Sequence, residues 1–380
     1  MRFFIFEAIV SAILAFLLGW FAPLLLLSVS AKVLLTLALT APLEAVIARH
    51  YIRKAVKKIK YRDLIVIGIT GSAGKTSTKN ILAQLLGTQF SVLASPHSFN
   101  TPSGFSRTIN EHYNGQQILI MEMGARRVGD IAKLCKLTNP TYGIITTVNP
   151  QHLETFKTIE NIAKTKEELA RALPKNGFLV SNAENEFCRN FKSEAKIALV
   201  SSADAPETNL LGAHNALNIA AASAMARYLG ISEEVIAETC LKLTQTPHRL
   251  ELIKSQNGIN ILDDSYNANI DGAREALKVL RSFGGKRVVQ TAGLVEQGKN
   301  SYNANFALGE EIAKNANVVI LVGETNKTAI LDGINATKET AEPLDVYTVL
   351  NNAEAMALYP KILKSGDALL IENDLPDGYK

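Results

Sequence analysis

The sequence predicts an α/β protein. A P-loop-containing, doubly wound central ATPase domain and a smaller Rossmann-like C-terminal domain are expected behind N-terminal transmembrane helices. Three observations carry this expectation. From residue 64 onward, short β-branched apolar runs alternate with helical patterns, as in a parallel sheet wound with helices. One run, Leu64-Ile65-Val66-Ile67-Gly68-Ile69, leads straight into the glycine-rich stretch Thr70-Gly71-Ser72-Ala73-Gly74-Lys75-Thr76. The first 48 residues, by contrast, are almost wholly apolar. With 380 residues, the chain exceeds what one hydrophobic core usually supports, so several domains are expected.

Between Phe3 and Val29 the only charge is Glu7, and a second apolar run, Val33 to Ala48, follows Lys32. A membrane crossing needs ~20 apolar residues. Residues 1–48 therefore read as a membrane anchor, either two crossings broken around Gly19 to Pro23 or one crossing and an interfacial helix. A cleaved signal peptide ending near Ser28-Val29-Ser30 fits less well, because a second apolar run follows at once. Seven basic residues and no acid lie between Arg49 and Arg62. Residues 49–63 thus read as a basic juxtamembrane linker attracted to anionic membrane lipid. The expected location is the cytoplasmic membrane, with the catalytic domains facing the cytosol.

Charge and cysteine content narrow the function classes. Residues 63–380 hold 31 basic and 34 acidic residues, which excludes a nucleic-acid-type charge excess. Cys135, Cys188 and Cys240 are scattered, with no CxxC pair, which excludes a disulfide framework and a structural zinc site.

The strand at 64–69 reads as buried and parallel, and a helical pattern runs from Lys79 to Leu86. Strand, glycine loop and helix form the context of a phosphate-binding loop. Glycines let backbone N–H groups turn toward phosphate oxygens, and the helix N-terminus adds a positive field. Gly71, Ser72, Ala73 and Gly74 would line the phosphates, Lys75 would neutralise their charge, and the Thr76 hydroxyl would face Mg²⁺. The strict G-x4-G-K-[ST] spacing fails, since position 69 is Ile and the outer glycine is Gly68. An ordinary strand-to-helix turn, however, does not explain a lysine beside two glycines and a run of hydroxyls.

Further along, Ile118 to Met121 precede Glu122, and Gly143 to Val148 precede Asn149-Pro150-Gln151-His152. Both place a polar side chain beyond the carboxyl end of a strand, where ligands collect in α/β sheets. Asn215 and Asn218 lie three apart on a helix expected after Gly212, so they share a face and can offer donor and acceptor to a purine edge. A second domain is expected from 245, the first spanning 64–244. It opens with a hairpin turning at Asn257-Gly258, with later strands near Arg287–Gln290, Val318–Val322 and Ala368–Ile371.

Six ordered blocks now make the chain resemble the Mur ligase family, closest to its D-alanyl-D-alanine-adding branch. They are Gly71 to Thr76, Glu122 to Ala125, Gln151 to Glu154, Asn161 to Lys166, Gly212 to Asn218, and Asp263 to Asn269. The resemblance implies an ATP- and Mg²⁺-dependent amide ligase of peptidoglycan precursor synthesis. ATP would convert a muramyl-peptide carboxylate to an acyl phosphate, which a small amine or dipeptide such as D-alanyl-D-alanine then attacks. It implies that Glu122 and His152 hold or orient magnesium, and that Lys166 is carbamylated and so becomes an anionic ligand. It also implies that Asn215 and Asn218 face adenine, that Arg249 approaches ATP from the second domain, and that Asp264 and Asn267 hold the nucleotide and the linker. For Lys166 a solvated helix-face lysine beside Glu167 and Glu168 remains an alternative, as does a helix N-cap for Asp263 or Asp264.

Two departures from the family pattern stand out. An apolar segment and basic linker occupy the place of the domain that grips the UDP sugar, and Ile371 to Asp377 replace a basic, glycine-rich loop. A lipid-linked acceptor or another amine therefore stays open. Segment Ser95 to Phe105 reads as the loop that positions the acceptor, with His97, Asn100 and Thr101 as candidates, and Gly293 to Gly298 as its counterpart in the second domain. A nucleotide-binding scaffold without catalysis is the competing class, but it has no need for Lys75, Glu122, His152, Lys166 and Asp264 together.

Overall fold

The computed structural model describes residues 7–13, 16, 29–60, 62–150, 153–266, 270–295, 297–338 and 342–373. The first apolar run lies largely outside them. The second lies in a helix, α1 (Val29–Ile59). Among the described residues no helix is long and apolar enough to cross a membrane. In α1, Lys32 is charged, and charge resumes at Glu44 and continues through Arg49, Arg53, Lys54, Lys57 and Lys58. The uncharged stretch 33–43 is thus about half of the ~20 residues a crossing needs. The expected transmembrane helices, and with them the location at the cytoplasmic membrane, are therefore not supported. The expected basic linker is instead the last part of α1, and it docks on the central domain. Ala55 is fully buried there, and Lys58 Nζ donates to the carbonyls of Ile109 (2.9 Å) and Tyr113 (2.6 Å).

The central domain is a six-stranded, all-parallel sheet in the order β2-β3-β1-β4-β5-β6. Its strands are β1 (Ile65–Thr70), β2 (Val92–Ala94), β3 (Ile118–Glu122), β4 (Tyr142–Ile145), β5 (Phe178–Asn182) and β6 (Lys196–Val200). Alternation along β1 feeds two cores. Ile67 and Ile69 pack with α2 (Lys75–Leu86), while Val66 faces the side of α4 (Asp130–Thr138) and α6 (Ile159–Ala172). Gly68 belongs to the second side, where an added Cβ would stand 2.9 Å from Leu169 and Met123. Between β2 and β3 lie α3 (Pro102–Arg107) and a π-turn on which α1 rests. A short helix, α5 (Leu153–Phe156), precedes α6, and α7 (Glu186–Arg189) follows β5. Helices α8 (His214–Tyr228) and α9 (Glu233–Leu241) complete the α2 side. The Ala220–Ala226 stretch of α8 packs as expected, with all but Ala224 buried.

The second sheet runs β11-β10-β9-β12-β8-β7. Its first two strands, β7 (Glu251–Lys254) and β8 (Asn260–Asp264), form the anticipated antiparallel hairpin, with Gly258 at φ +75° in the turn. The remaining strands, β9 (Arg287–Gly293), β10 (Val318–Val322), β11 (Asp345–Val349) and β12 (Ala368–Asn373), are parallel. Helices α10 (Ile270–Arg281), α11 (Ser301–Asn315) and α12 (Lys327–Ala336) cover one face, and α13 (Asn352–Ile362) the other. The α/β expectation of two wound sheets agrees with this arrangement. In the first sheet β1 lies between β3 and β4, and the chain leaves it in opposite directions, so their carboxyl ends open a crevice.

Candidate active site

That crevice is built around the loop after β1. Gly71 and Gly74 adopt φ of +154° and +79°, which side chains resist. A Cβ on Gly71 would collide with Thr146 Oγ1, and one on Gly74 with Asn218 Oδ1. The end of β4 clamps the loop further. Ser72 N donates to the Thr147 carbonyl (2.8 Å), and Thr146 Oγ1 donates to the Ala73 carbonyl (2.5 Å). Backbone strain of this kind costs on the order of 1–3 kcal/mol. Gly74→Ala is therefore expected to weaken ATP binding by about tenfold or more and to lower the melting temperature. Titration calorimetry and a thermal melt check both, and wild-type affinity would show that the loop tolerates the change.

Helix α2 begins at Lys75, so its first N–H groups are free of helical partners and available to an anion. Lys75 Nζ donates to the carbonyls of Gly71 (2.9 Å) and Ser72 (3.2 Å). Thr76 Oγ1 donates to Glu122 Oε2 (2.8 Å), because β3 is the neighbour of β1 and ends at Glu122. Asn100 Nδ2 donates to the other carboxylate oxygen (3.2 Å), and Lys79 Nζ lies 3.6 Å from Oε2. Burial alone would raise the Glu122 carboxyl, but the charges of Lys75 and Lys79 and the two hydrogen bonds outweigh it and hold the group below its usual range. A buried carboxylate therefore stays ionised next to a hydroxyl. This hard-oxygen set fits Mg²⁺.

Lys79 was legible only as a helix residue. It is almost completely buried, and donates to the carbonyls of Ser95 (2.8 Å) and His97 (2.5 Å), tying the 95–101 loop to α2. Its ammonium is shifted below the usual lysine range by burial, against the pull of Glu122. The hint lay in its spacing, since Lys79 follows Lys75 by one helical turn and shares its face.

Lys166 projects from α6 and is 4% exposed, which removes the alternative of a solvated helix-face lysine. Burial, and then the neighbouring charge of Lys75, bring its pKa down to about 7, although Glu168 and Glu122 oppose this. The adjacent glutamates are engaged elsewhere. Glu167 pairs with Arg171 (2.9 Å), and Glu168 accepts from the N–H groups of Gly129 (2.6 Å) and Ala132 (2.9 Å).

On the opposite wall, Asn218 Oδ1 accepts from Thr78 Oγ1 (3.2 Å), and Asn218 Nδ2 donates to Asn215 Oδ1 (3.2 Å). Asn215 stands behind Asn218 and is not part of the wall. His214, at the start of α8, does line it. Although the residue keeps exposed surface, the protein packed around its imidazole holds it below the ordinary range, with Glu275 opposing and Arg249 assisting.

The second domain contributes from the chain after Thr244. Arg249 is flanked by two residues at positive φ, His248 (+59°) and Leu250 (+53°). Its guanidinium lies over the Tyr266 ring, 4.5 Å from the centroid. Asp264 Oδ1 accepts from Leu250 N (3.1 Å). Its pKa is pushed up to about 6 by burial, with Asp263 adding to the push and Arg249 and the Leu250 amide opposing it. Neither aspartate is placed as a simple helix cap, since Asp263 accepts from Ser265 N and meets the His248 ring at 2.7 Å.

One cleft of about 1060 Å³ takes in Gly71 to Thr76, Glu122, Lys166, Asn218, Arg249 and Asp264. His152 and Asn267 lie outside the described residues. Of the acceptor-loop candidates, Asn100 and Thr101 line the cleft and His97 does not. Thr101 also caps α3 by accepting from Gly104 N (3.2 Å). Ser98 and Tyr266, which carried no assignment, line it too.

Comparison with known proteins agrees with this geometry. Residues 69–208 match the Mur ligase middle domain, and residues 248–372 the Mur ligase, glutamate ligase domain. The chain is 28% identical over 360 residues to the UDP-N-acetylmuramoyl-tripeptide--D-alanyl-D-alanine ligase of Mycobacterium bovis, covering 81% of this chain and 70% of the relative. The ligase of the same name from Bacillus subtilis is 30% identical over 259 residues, covering 61% and 57%. Among solved structures, MurF from Acinetobacter baumannii superposes with a TM-score of 0.73 at 24% identity, over 86% of this chain and 77% of that one. MurF ligase from Thermotoga maritima in complex with ADP gives 0.72 at 24% identity, over 86% and 80%. Both family domains thus fall in order on the two lobes that form the cleft, and the chain belongs to the Mur ligase family.

Proposed function

We propose that the chain is an ATP-dependent carbon–nitrogen ligase of peptidoglycan precursor synthesis. It would join the carboxylate of a UDP-N-acetylmuramoyl tripeptide to D-alanyl-D-alanine, the reaction named for its relatives in Mycobacterium bovis and Bacillus subtilis. The observation that carries this reading is the convergence of Lys75, Thr76, Glu122 and Lys166 from one lobe with Arg249 and Asp264 from the other.

The chemistry needs charge neutralisation and alignment more than a covalent nucleophile. An acceptor carboxylate oxygen attacks the γ-phosphorus and ADP departs. The amine nitrogen then attacks the acyl carbon, phosphate leaves and a proton is released. Lys75 and the N–H groups at the start of α2 hold the phosphates, with Gly71 to Gly74 giving the close approach. Thr76 and Glu122 would hold Mg²⁺, which when bound offsets the charge that builds on the transferring phosphoryl group. Lys166, which lines the same cleft, would supply a third oxygen ligand as its carbamate, since a pKa of about 7 leaves much of the amine neutral and able to add CO₂. Asn218, backed by Asn215, borders the end of the cleft assigned to the purine. Arg249 closes on the phosphates, and Asp264 fixes Arg249's neighbour Leu250. The resemblance assigns His152 to the metal and Asn267 to the nucleotide.

Mass spectrometry of the product tests the proposal. Incubation with ATP, Mg²⁺, the UDP-muramyl tripeptide and D-alanyl-D-alanine is expected to yield the pentapeptide precursor and stoichiometric ADP. Absence of product with this acceptor and amine, but product with a lipid-linked acceptor or another amine, would replace the substrates and keep the ligase. No product and no ADP with any pair would refute the proposal.

A further inference from the structure

We infer that Ser98 and Tyr266 are positioning residues that latch the two lobes together, so that Arg249 and the acceptor loop reach the triphosphate in one concerted closure. The inference rests on the ligase reading above. Ser98 Oγ and Tyr266 OH lie 2.6 Å apart, although 168 positions separate them and they belong to different lobes. Both line the cleft, whereas the linker contacts Asn80–Thr246 (3.1 Å) and Gln84–Thr244 (2.9 Å) lie outside its lining. The hydroxyl pair therefore joins the lobes at the working surface and the linker contacts join them at the hinge.

What each hydroxyl is attached to gives the contact its consequence. Tyr266 carries the Arg249 guanidinium on its ring face, a contact in which a cation is held in a defined plane. Ser98 sits on a loop fastened at three points. Lys79 binds the carbonyls on either side of Pro96, at Ser95 and His97, and Asn100 Nδ2 holds Glu122. His97 is at φ +45°, so the loop is held in shape at some backbone cost immediately before Ser98. A continuous path thus runs from Arg249 through Tyr266 and Ser98 to the loop, and from Asn100 to Glu122. Breaking the hydroxyl contact uncouples the arginine from the loop, yet leaves each lobe's own packing untouched.

The test compares Ser98→Ala, Tyr266→Phe, the double variant and Ser98→Thr in the full chain. Phenylalanine keeps the ring under Arg249 and removes only the hydroxyl. Two readouts are taken: kcat and KM for ADP release, and an interlobe distance from paired fluorophores, without nucleotide and with an imido-bridged ATP analogue. Each single variant is expected to lose about tenfold in kcat with KM for ATP within about twofold, the double variant no more than either single, and threonine to restore most of the rate. With the analogue bound, the interlobe distance should be short in wild type and Ser98→Thr and longer in the others. Multiplicative losses, near-wild-type kcat in either single variant, or normal closure in the double variant would overturn the latch. A wild type that forms no ADP would refute the ligase reading alone, and the distance measurement would still decide the latch.

Discussion

Replacing Lys75 with alanine is expected to lower ADP release by about 10³-fold while leaving the melting temperature close to wild type. Losing one preorganised charge or donor aimed at developing phosphoryl charge typically costs about 10²–10³ in rate, and a cation on the transferring group sits at the upper end. The reason lies in the placement. Lys75 opens α2, its ammonium rests on the loop carbonyls of Gly71 and Ser72, and it lies close enough to hold Glu122 ionised. The fold does not depend on it, because the core side of α2 is formed by Ile81, Leu82, Leu85 and Leu86. The loss should appear in steady-state kinetics and as weaker nucleotide binding by calorimetry. Near-wild-type turnover in Lys75→Ala would remove the loop from the chemistry.

Lys166→Ala is expected to cost about 10²–10³ in kcat, with partial rescue by added acetate or formate. Burial and Lys75 leave the free amine with a pKa near 7, so the sign of the pH dependence is fixed. Below pH 7 the ammonium dominates and cannot attack CO₂. Above it the neutral amine forms an N–C bond with CO₂ and releases a proton, and the resulting anion would share the cleft with Thr76 and Glu122. Activity in buffer held at fixed CO₂ should therefore rise between about pH 6 and 8, and fall when CO₂ is stripped, with bicarbonate restoring it. A small carboxylate can enter the space left by alanine and replace the missing anion. Full activity in Lys166→Ala, or no response to CO₂, would remove the carbamate from the mechanism.

How much of this was legible varies by residue, for physical reasons. The strand, glycine loop and helix at 65–86 could be read because their requirements are local: a β-branched run, glycines at positive φ, and a lysine opening a helix. Glu122 was legible as a strand-end carboxylate, and the hairpin at Asn257-Gly258 through its turn residues. Lys79 was not, since a lysine in an amphipathic helix normally faces water. Only the approach of β3 and the 95–101 loop turns it into a buried partner of Glu122. Likewise, nothing local pairs Ser98 with Tyr266 or sets Asn215 behind Asn218.

The described part of the N-terminal segment, α1, shows the opposite failure. An apolar run read by eye is overrated when the charges around it are not counted: α1 holds Lys32 and a series of charges from Glu44 on, and its last turns dock on the protein through Ala55 and Ile59. The basic cluster read as a lipid-facing linker likewise includes Lys58, whose ammonium is hydrogen-bonded to the protein's own carbonyls.

A crystal structure with an imido-bridged ATP analogue and Mg²⁺ addresses the nucleotide site most directly. The triphosphate is expected within hydrogen-bond reach of Lys75 and the amides of 72–76, with Thr76 and Glu122 on the cation, and Arg249 approaching from the other lobe. A nucleotide bound away from the strap of residues 71–76, or Arg249 turned out of the cleft in the loaded protein, would contradict the shared two-lobe site.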